Sequence, residues 1–192
     1  MQNKTINRVC KNRVVMIAAG GTGGHIYPAI SMITEMKFCK FIIVTDMRGE
    51  NYFLNFLKGK SIQSKVFTHK VSSPSNTNFL NKLVSLLLLF ISLLKSIFLV
   101  LKYKPNLIVG FGGYPSIAPI LAAKIFNIYT IIHEQNTILG RANKFLVKIS
   151  DILALSFANT KNIGKIKRVL FTGNPVRKEF HDIGKINYKL PK

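Results

Sequence analysis

Apolar positions in this chain come in short uninterrupted runs, each followed by a segment of helical period. Val14-Val15-Met16-Ile17 and Phe41-Ile42-Ile43-Val44-Thr45 do not alternate with polar residues, so they read as strands covered on both faces. Ser64 to Val71, Asn106 to Val109, Tyr129 to Ile132, Ile152 to Ser156 and Arg168 to Thr172 read as further strands. Ile26, Ala29, Ile30, Ile33 and Met36 recur at helical spacing, with Pro28 expected in a tolerant first turn. Shorter helices are expected over 51–57, over 116–126 with Ser116 as its cap, and over 141–149. The alternation predicts an α/β fold: a Rossmann-like parallel sheet with flanking helices. Such sheets bind ligands beyond the carboxyl ends of their strands.

Several of those ends carry polar or glycine-rich clusters. The first is Gly20-Gly21-Thr22-Gly23-Gly24-His25, a turn poor in side chains that opens a helix. Its backbone can approach an anion closely, and the helix start offers unpaired N–H groups and a positive dipole end. No Gly-Lys-Ser/Thr closes it, so it is not a Walker loop. Ile26 stands where a dinucleotide fingerprint needs glycine. A purely structural strand-to-helix turn is the competing reading. Gly110-Phe111-Gly112-Gly113-Tyr114-Pro115, His133-Glu134-Gln135-Asn136 and Gly173-Asn174-Pro175-Val176-Arg177 follow at later strand ends.

Composition narrows the chemistry. The 192 residues suffice for one well-cored domain and are few for two. Net charge is +21, and the only carboxylates are Glu35, Asp46, Glu50, Glu134, Asp151, Glu179 and Asp182. That set excludes a site of clustered carboxylates, and no metal cluster or cofactor is expected. The basic balance favours anionic partners, although lysine-rich codon usage explains it equally well. The lysines are dispersed, which argues against nucleic acid as a partner. Cys10 and Cys39 suggest neither a metal site nor a disulfide framework. Residues 1–12 read as a basic extension with no signal-type apolar stretch behind it.

Phe79 to Leu101 is the most hydrophobic stretch. Leu83 to Leu101 holds 15 apolar residues, three serines and Lys95. The length approaches that of a membrane span, but a central lysine costs about 2.5–3.5 kcal/mol there. Ser85, Ser92, Ser96, Lys82 and Lys95 share one broad stripe, which suits a helix packed on the sheet with an excess apolar face. Peripheral membrane docking is favoured over core burial alone, and a true span comes third.

The four strand-end motifs, in this order and approximate spacing from Val14 to Arg177, resemble the amino-terminal half of the MurG family of bacterial peptidoglycan glycosyltransferases. The resemblance implies the N-terminal domain of a GT-B fold over 13–177, after the 1–12 extension and before a 178–192 tail. The C-terminal, donor-binding domain of that fold is not in this sequence. The implied reaction moves N-acetylglucosamine from UDP-N-acetylglucosamine to the muramyl unit of lipid I, giving lipid II with inversion at the sugar. The chain is then an incomplete transferase that needs a separate donor-binding half. The alternatives are a non-catalytic, acceptor-binding membrane subunit and an inactive remnant.

The resemblance also assigns roles. Thr22, Gly23, Gly24, Asn136 and Arg177 contact the UDP-sugar, and Gly20, Gly21, Gly112, Gly113 and Tyr114 cradle the acceptor diphosphate. His25 is the candidate base for the attacking hydroxyl, against a capping or positioning role. Glu134 is the rival base, against a loop-fixing role through backbone N–H groups. Arg177 suits a diphosphate because guanidinium presents a rigid fork of donors. Phe79, Leu80, Leu83, Leu87 and Phe90, with Lys82 and Lys95, match a family patch that docks peripherally on the cytoplasmic face of the inner membrane.

Overall fold

The computed structural model describes residues 13–36, 38–71, 78–164, 166 and 168–176. The 1–12 extension, the 178–192 tail and Arg177 lie outside the described residues. Strands β1 (Val14–Ala18), β2 (Lys40–Thr45), β3 (Ser64–Thr68), β4 (Leu107–Gly110), β5 (Tyr129–Glu134), β6 (Ile152–Leu155) and β7 (Val169–Phe171) form one sheet. Its order is β3-β2-β1-β4-β5-β6-β7, and every neighbouring pair is parallel. Helices α1 (Gly23–Glu35), α2 (Met47–Leu57), α3 (Phe79–Tyr103), α4 (Ile117–Ile125) and α5 (Arg141–Leu146) connect the strands and cover both faces.

Alternate residues of each central strand go to opposite sides. Met16, Ile42, Val44, Ile108, Ile132 and Leu153 meet Leu99 and Val100 of α3 and Ile120 of α4 in one core. Val15, Ile17, Phe41, Ile43 and Val109 meet Ile26, Ile30 and Ile33 of α1 and Phe53 of α2 in the other. Burial on both faces is why these strands read as continuous apolar runs. The edge strands lack one neighbour, and all three residues of β7 are exposed.

Local chemistry shifts several boundaries from expectation. Helix α2 starts at Met47, not residue 51, because Asp46 caps it by accepting from the N–H of Gly49 at 3.1 Å. Strand β3 stops at Thr68, short of Val71. Pro28 is the sixth residue of α1, beyond the first turn, where its missing N–H frees the carbonyl of Gly24. Ser116 does not cap α4. Its hydroxyl instead lies 2.7 Å from the carbonyl of Gly112 and 2.9 Å from that of Ala18, sharing its proton between them.

The long helix packs with part of its polar stripe inward and an apolar face outward. The serine–lysine stripe splits: Ser85, Ser92 and Ser96 are buried, while Lys82 and Lys95 are exposed. Buried serines let α3 approach α4 closely, and two of their hydroxyls are satisfied within the helix, Ser85 on Asn81 and Ser96 on Ser92. The large apolar residues consequently face outward, Phe79 at 79% exposure, Leu83 at 56% and Phe90 at 56%.

Candidate functional site

The sheet order reverses direction between β1 and β4, so the crevice beyond their carboxyl ends is the topological switch point. Ala18 pairs with Gly110 there, and both glycine turns leave the sheet side by side. Gly113 has φ +73°, and a Cβ on it would lie 2.9 Å from the carbonyl oxygen of Gly20. A side chain at this position would separate the turns. Gly112, at φ +88°, leaves the space occupied by the His25 ring, whose Nε2 would lie 3.2 Å from a Cβ. Ser116 joins the ends of the two strands from beneath.

His25 is the third residue of α1, half-buried, with Nδ1 3.1 Å from the carbonyl oxygen of Gly20. A carbonyl can only accept, so Nδ1 carries a proton, and the neutral ring has its lone pair on Nε2. Thr22 precedes the helix with an exposed side chain that caps nothing. Gly23 and Gly24 form the first turn, whose N–H groups have no partner within the helix. Across a cleft of about 420 Å³, Gly23, Gly24, Tyr27 and Pro28 face Asn174, Pro175 and Val176.

The third motif joins the others through its buried side chains. Gln135 donates from Nε2 to the carbonyl of Phe111 in the second glycine turn at 3.0 Å, and to Nδ1 of His133 at 3.0 Å. His133 in turn donates from Nε2 to the carbonyl of Gly173 at 3.2 Å. Both contacts fit a neutral ring. Burial, the largest influence, lowers the His133 pKa, while the bond to Gly173 and the charge of Glu134 act in the opposite direction. The ring of Phe111 packs against His133 at 5.5 Å between centroids. All four strand-end motifs therefore meet in one region.

Glu134 is 1% exposed, and each of its oxygens accepts twice. Oε1 takes the N–H of Asn136 at 3.0 Å and its Nδ2 at 2.9 Å; Oε2 takes the N–H of Gly140 at 2.8 Å and Nδ2 of Asn143 at 2.9 Å. These contacts tie the β5–α5 loop together. Asn136 is exposed but its amide belongs to this loop network, and Tyr114 is half-buried in a 3-10 turn.

Three positioning groups escaped the sequence reading. Asp46, 4% exposed, accepts from the N–H of Gly21 at 3.1 Å and holds the Arg48 guanidinium through Nε at 3.0 Å and Nη2 at 2.8 Å. Its position at a strand end, three residues before Gly49, was the available signal. Asn143 bridges the carbonyl of His133 and Glu134, and nothing in its helical context marked it. Ser116 was read as a cap because capping is the commoner role for serine at that position.

Comparisons with known proteins agree with the fold. Residues 15–154 match the glycosyltransferase family 28 N-terminal domain. A Wolbachia pipientis protein named UDP-N-acetylglucosamine--N-acetylmuramyl-(pentapeptide) pyrophosphoryl-undecaprenol N-acetylglucosamine transferase is 39% identical over 160 residues, covering 83% of this chain and 43% of that protein. A Rickettsia typhi protein of the same name is 35% identical over 178 residues, covering 91% of this chain and 44% of its own length. The crystal structure of MurG from Acinetobacter baumannii superimposes with a TM-score of 0.67 at 24% identity, over 93% of this chain and 50% of that one. The chain thus spans about half the length of the relatives it matches. With its seven-stranded parallel sheet and paired glycine turns, the chain belongs to the glycosyltransferase family 28 N-terminal domain family.

Proposed function

We propose that this chain supplies the acceptor-binding half of a transferase that moves N-acetylglucosamine from UDP-N-acetylglucosamine to lipid I. The observation that carries this reading is the meeting of two glycine turns at the β1–β4 switch point with the His25 ring between them. Such a crevice offers backbone N–H groups and a helix start to a diphosphate. The relatives' printed names give the donor and acceptor.

In this mechanism Nε2 of His25 takes the proton of the muramyl 4-hydroxyl as that oxygen bonds to the anomeric carbon. The bond from that carbon to the UDP oxygen breaks, the electron pair leaves with UDP, and the configuration inverts. The first turn of α1 stabilises diphosphate charge, assisted by Arg177 in the role its motif implies. Thr22, Gly23 and Gly24 form this chain's wall of the donor site, and a C-terminal domain or partner chain forms the other. Glu134 and Asn136 hold the β5–α5 loop in the shape the site requires. The outward apolar face of α3, with Lys82 and Lys95, supports peripheral docking on the cytoplasmic face of the membrane that contains the acceptor.

The test is transfer of labelled N-acetylglucosamine to lipid I by this chain alone and with a donor-binding C-terminal half. Activity only in the mixture is expected. Acceptor binding without transfer in any mixture would support a non-catalytic subunit, and absence of both would identify a remnant.

A further inference from the structure

A second cavity, about 370 Å³ in volume, opens beside the glycine turns. Leu86 and Leu89 of α3, Tyr114, Ile117 of α4 and Phe145 of α5 supply its apolar walls, and Lys82 borders it. The hydroxyl of Ser85, also on the wall, is committed to the carbonyl of Asn81 at 2.8 Å, so the lining offers an entering polar group little. An open apolar pocket of this size favours apolar guests over water. At its border Leu86 is 63% exposed and Phe145 50%, continuous with the outward apolar face of α3.

Tyr114 fixes the relationship to the crevice. It follows Gly113, the residue in closest approach to Gly20, and its side chain lines the cavity. An anion seated between the glycine turns therefore has an apolar chamber next to it, with Lys82 on the chamber's border. We propose that this chamber binds the isoprenoid segment adjoining the acceptor diphosphate, an inference that rests on the lipid-linked acceptor reading above. Its volume falls near the lower end for small-molecule sites, roughly 300–1,000 Å³, so it takes a few isoprene units and leaves the remainder to the membrane. A bilayer phospholipid offers a phosphodiester set off from its acyl chains by glycerol, whereas an isoprenoid diphosphate joins its two phosphates directly to the apolar chain, which matches a chamber that adjoins the glycine turns.

Calorimetric titration of the full chain with farnesyl diphosphate, inorganic diphosphate and dodecylphosphocholine tests this. Farnesyl diphosphate should bind at least about ten-fold more tightly than inorganic diphosphate. Leu89→Trp, which fills the chamber, should bring the two within about two-fold while leaving inorganic diphosphate unchanged. Leu86→Glu, at an exposed border position where folding is not at risk, should do the same. A Leu87→Ser/Phe90→Ser variant, altered only on the outer face, should keep the preference. Equal affinities in the wild type, a preference that survives both chamber variants, or dodecylphosphocholine binding as tightly as farnesyl diphosphate would each overturn the proposal. Failure of inorganic diphosphate to bind would remove the acceptor reading itself, and the chamber assignment with it.

Discussion

The imidazole Nδ1 of His25 lies 3.1 Å from the carbonyl oxygen of Gly20, which fixes the ring's tautomer from within its own turn. The base candidate is thereby oriented by backbone and needs no carboxylate partner. Replacing His25 with alanine should lower turnover by about 10²–10⁴-fold in the enzyme assembled with its donor-binding half, with a smaller effect on acceptor affinity. Steady-state kinetics separating kcat from KM checks this, and unchanged turnover would remove His25 as the base.

Glu134 gives the opposite expectation. Glu134→Gln places an NH2 against at least one of the N–H donors of Asn136, Gly140 or Asn143. Stability should fall by roughly 2–3 kcal/mol, read as a shift in the urea midpoint. A variant that loses transfer while unfolding at the wild-type midpoint would show that Glu134 meets the substrate.

Asp46 connects the cap of α2 to the first glycine turn. Asp46→Ala should cost about 1–3 kcal/mol, since both the Gly49 cap and the Gly21 anchor disappear. It should also weaken inorganic diphosphate binding. A stability loss with unchanged diphosphate affinity would confine Asp46 to the helix.

His69, 2% exposed at the end of β3, lies with Nδ1 2.8 Å from the Ser92 hydroxyl of α3. Burial and then the nearby Lys95 charge lower its pKa from 6.5 to about 4. A depressed folded pKa means that the unfolded chain binds the proton first. The contribution is intact above pH 6.5 and is lost as pH falls towards about 4, by up to about 3 kcal/mol. His133, lowered in the same direction, adds to the slope. Urea midpoints across this range should decline in the wild type and less steeply in His69→Asn.

The outward face of α3 should govern vesicle binding. A Leu83→Ser/Leu87→Ser/Phe90→Ser variant should lose sedimentation with anionic vesicles while its unfolding midpoint stays within about 0.5 kcal/mol, because all three side chains are exposed. Lys82→Glu or Lys95→Glu should weaken binding at low salt by about 1 kcal/mol for each removed positive charge. Wild-type protein that resists carbonate extraction would indicate a span in place of docking.

Much of the architecture was legible in the chain because it is local. Continuous apolar runs identified the strands, helical periods identified α1 and α3, and glycine clusters at strand ends marked the crevice. Boundaries failed where one side chain chose between competing bonds: Asp46 started α2 early, and Ser116 turned back to Ala18 and Gly112. Periodicity also could not orient α3. With apolar residues around most of the helix, the inward face was decided by fit, and the serines went inside because their hydroxyls found partners within the helix or on His69.

The same division holds at the site. The sequence by itself determined which residue types stand at each strand end, because a strand-to-helix turn is written in neighbouring positions. Only the tertiary structure decided that the Gly20 and Gly112 turns touch, that Glu134 has both oxygens occupied, and that His25 turns Nδ1 to the carbonyl of Gly20. The first depends on segments about 90 residues apart, brought together by the parallel pairing of β1 with β4. The other two are short-range bonds, within residues 134–143 and within the first glycine turn, and residue type alone does not select them from the local partners on offer.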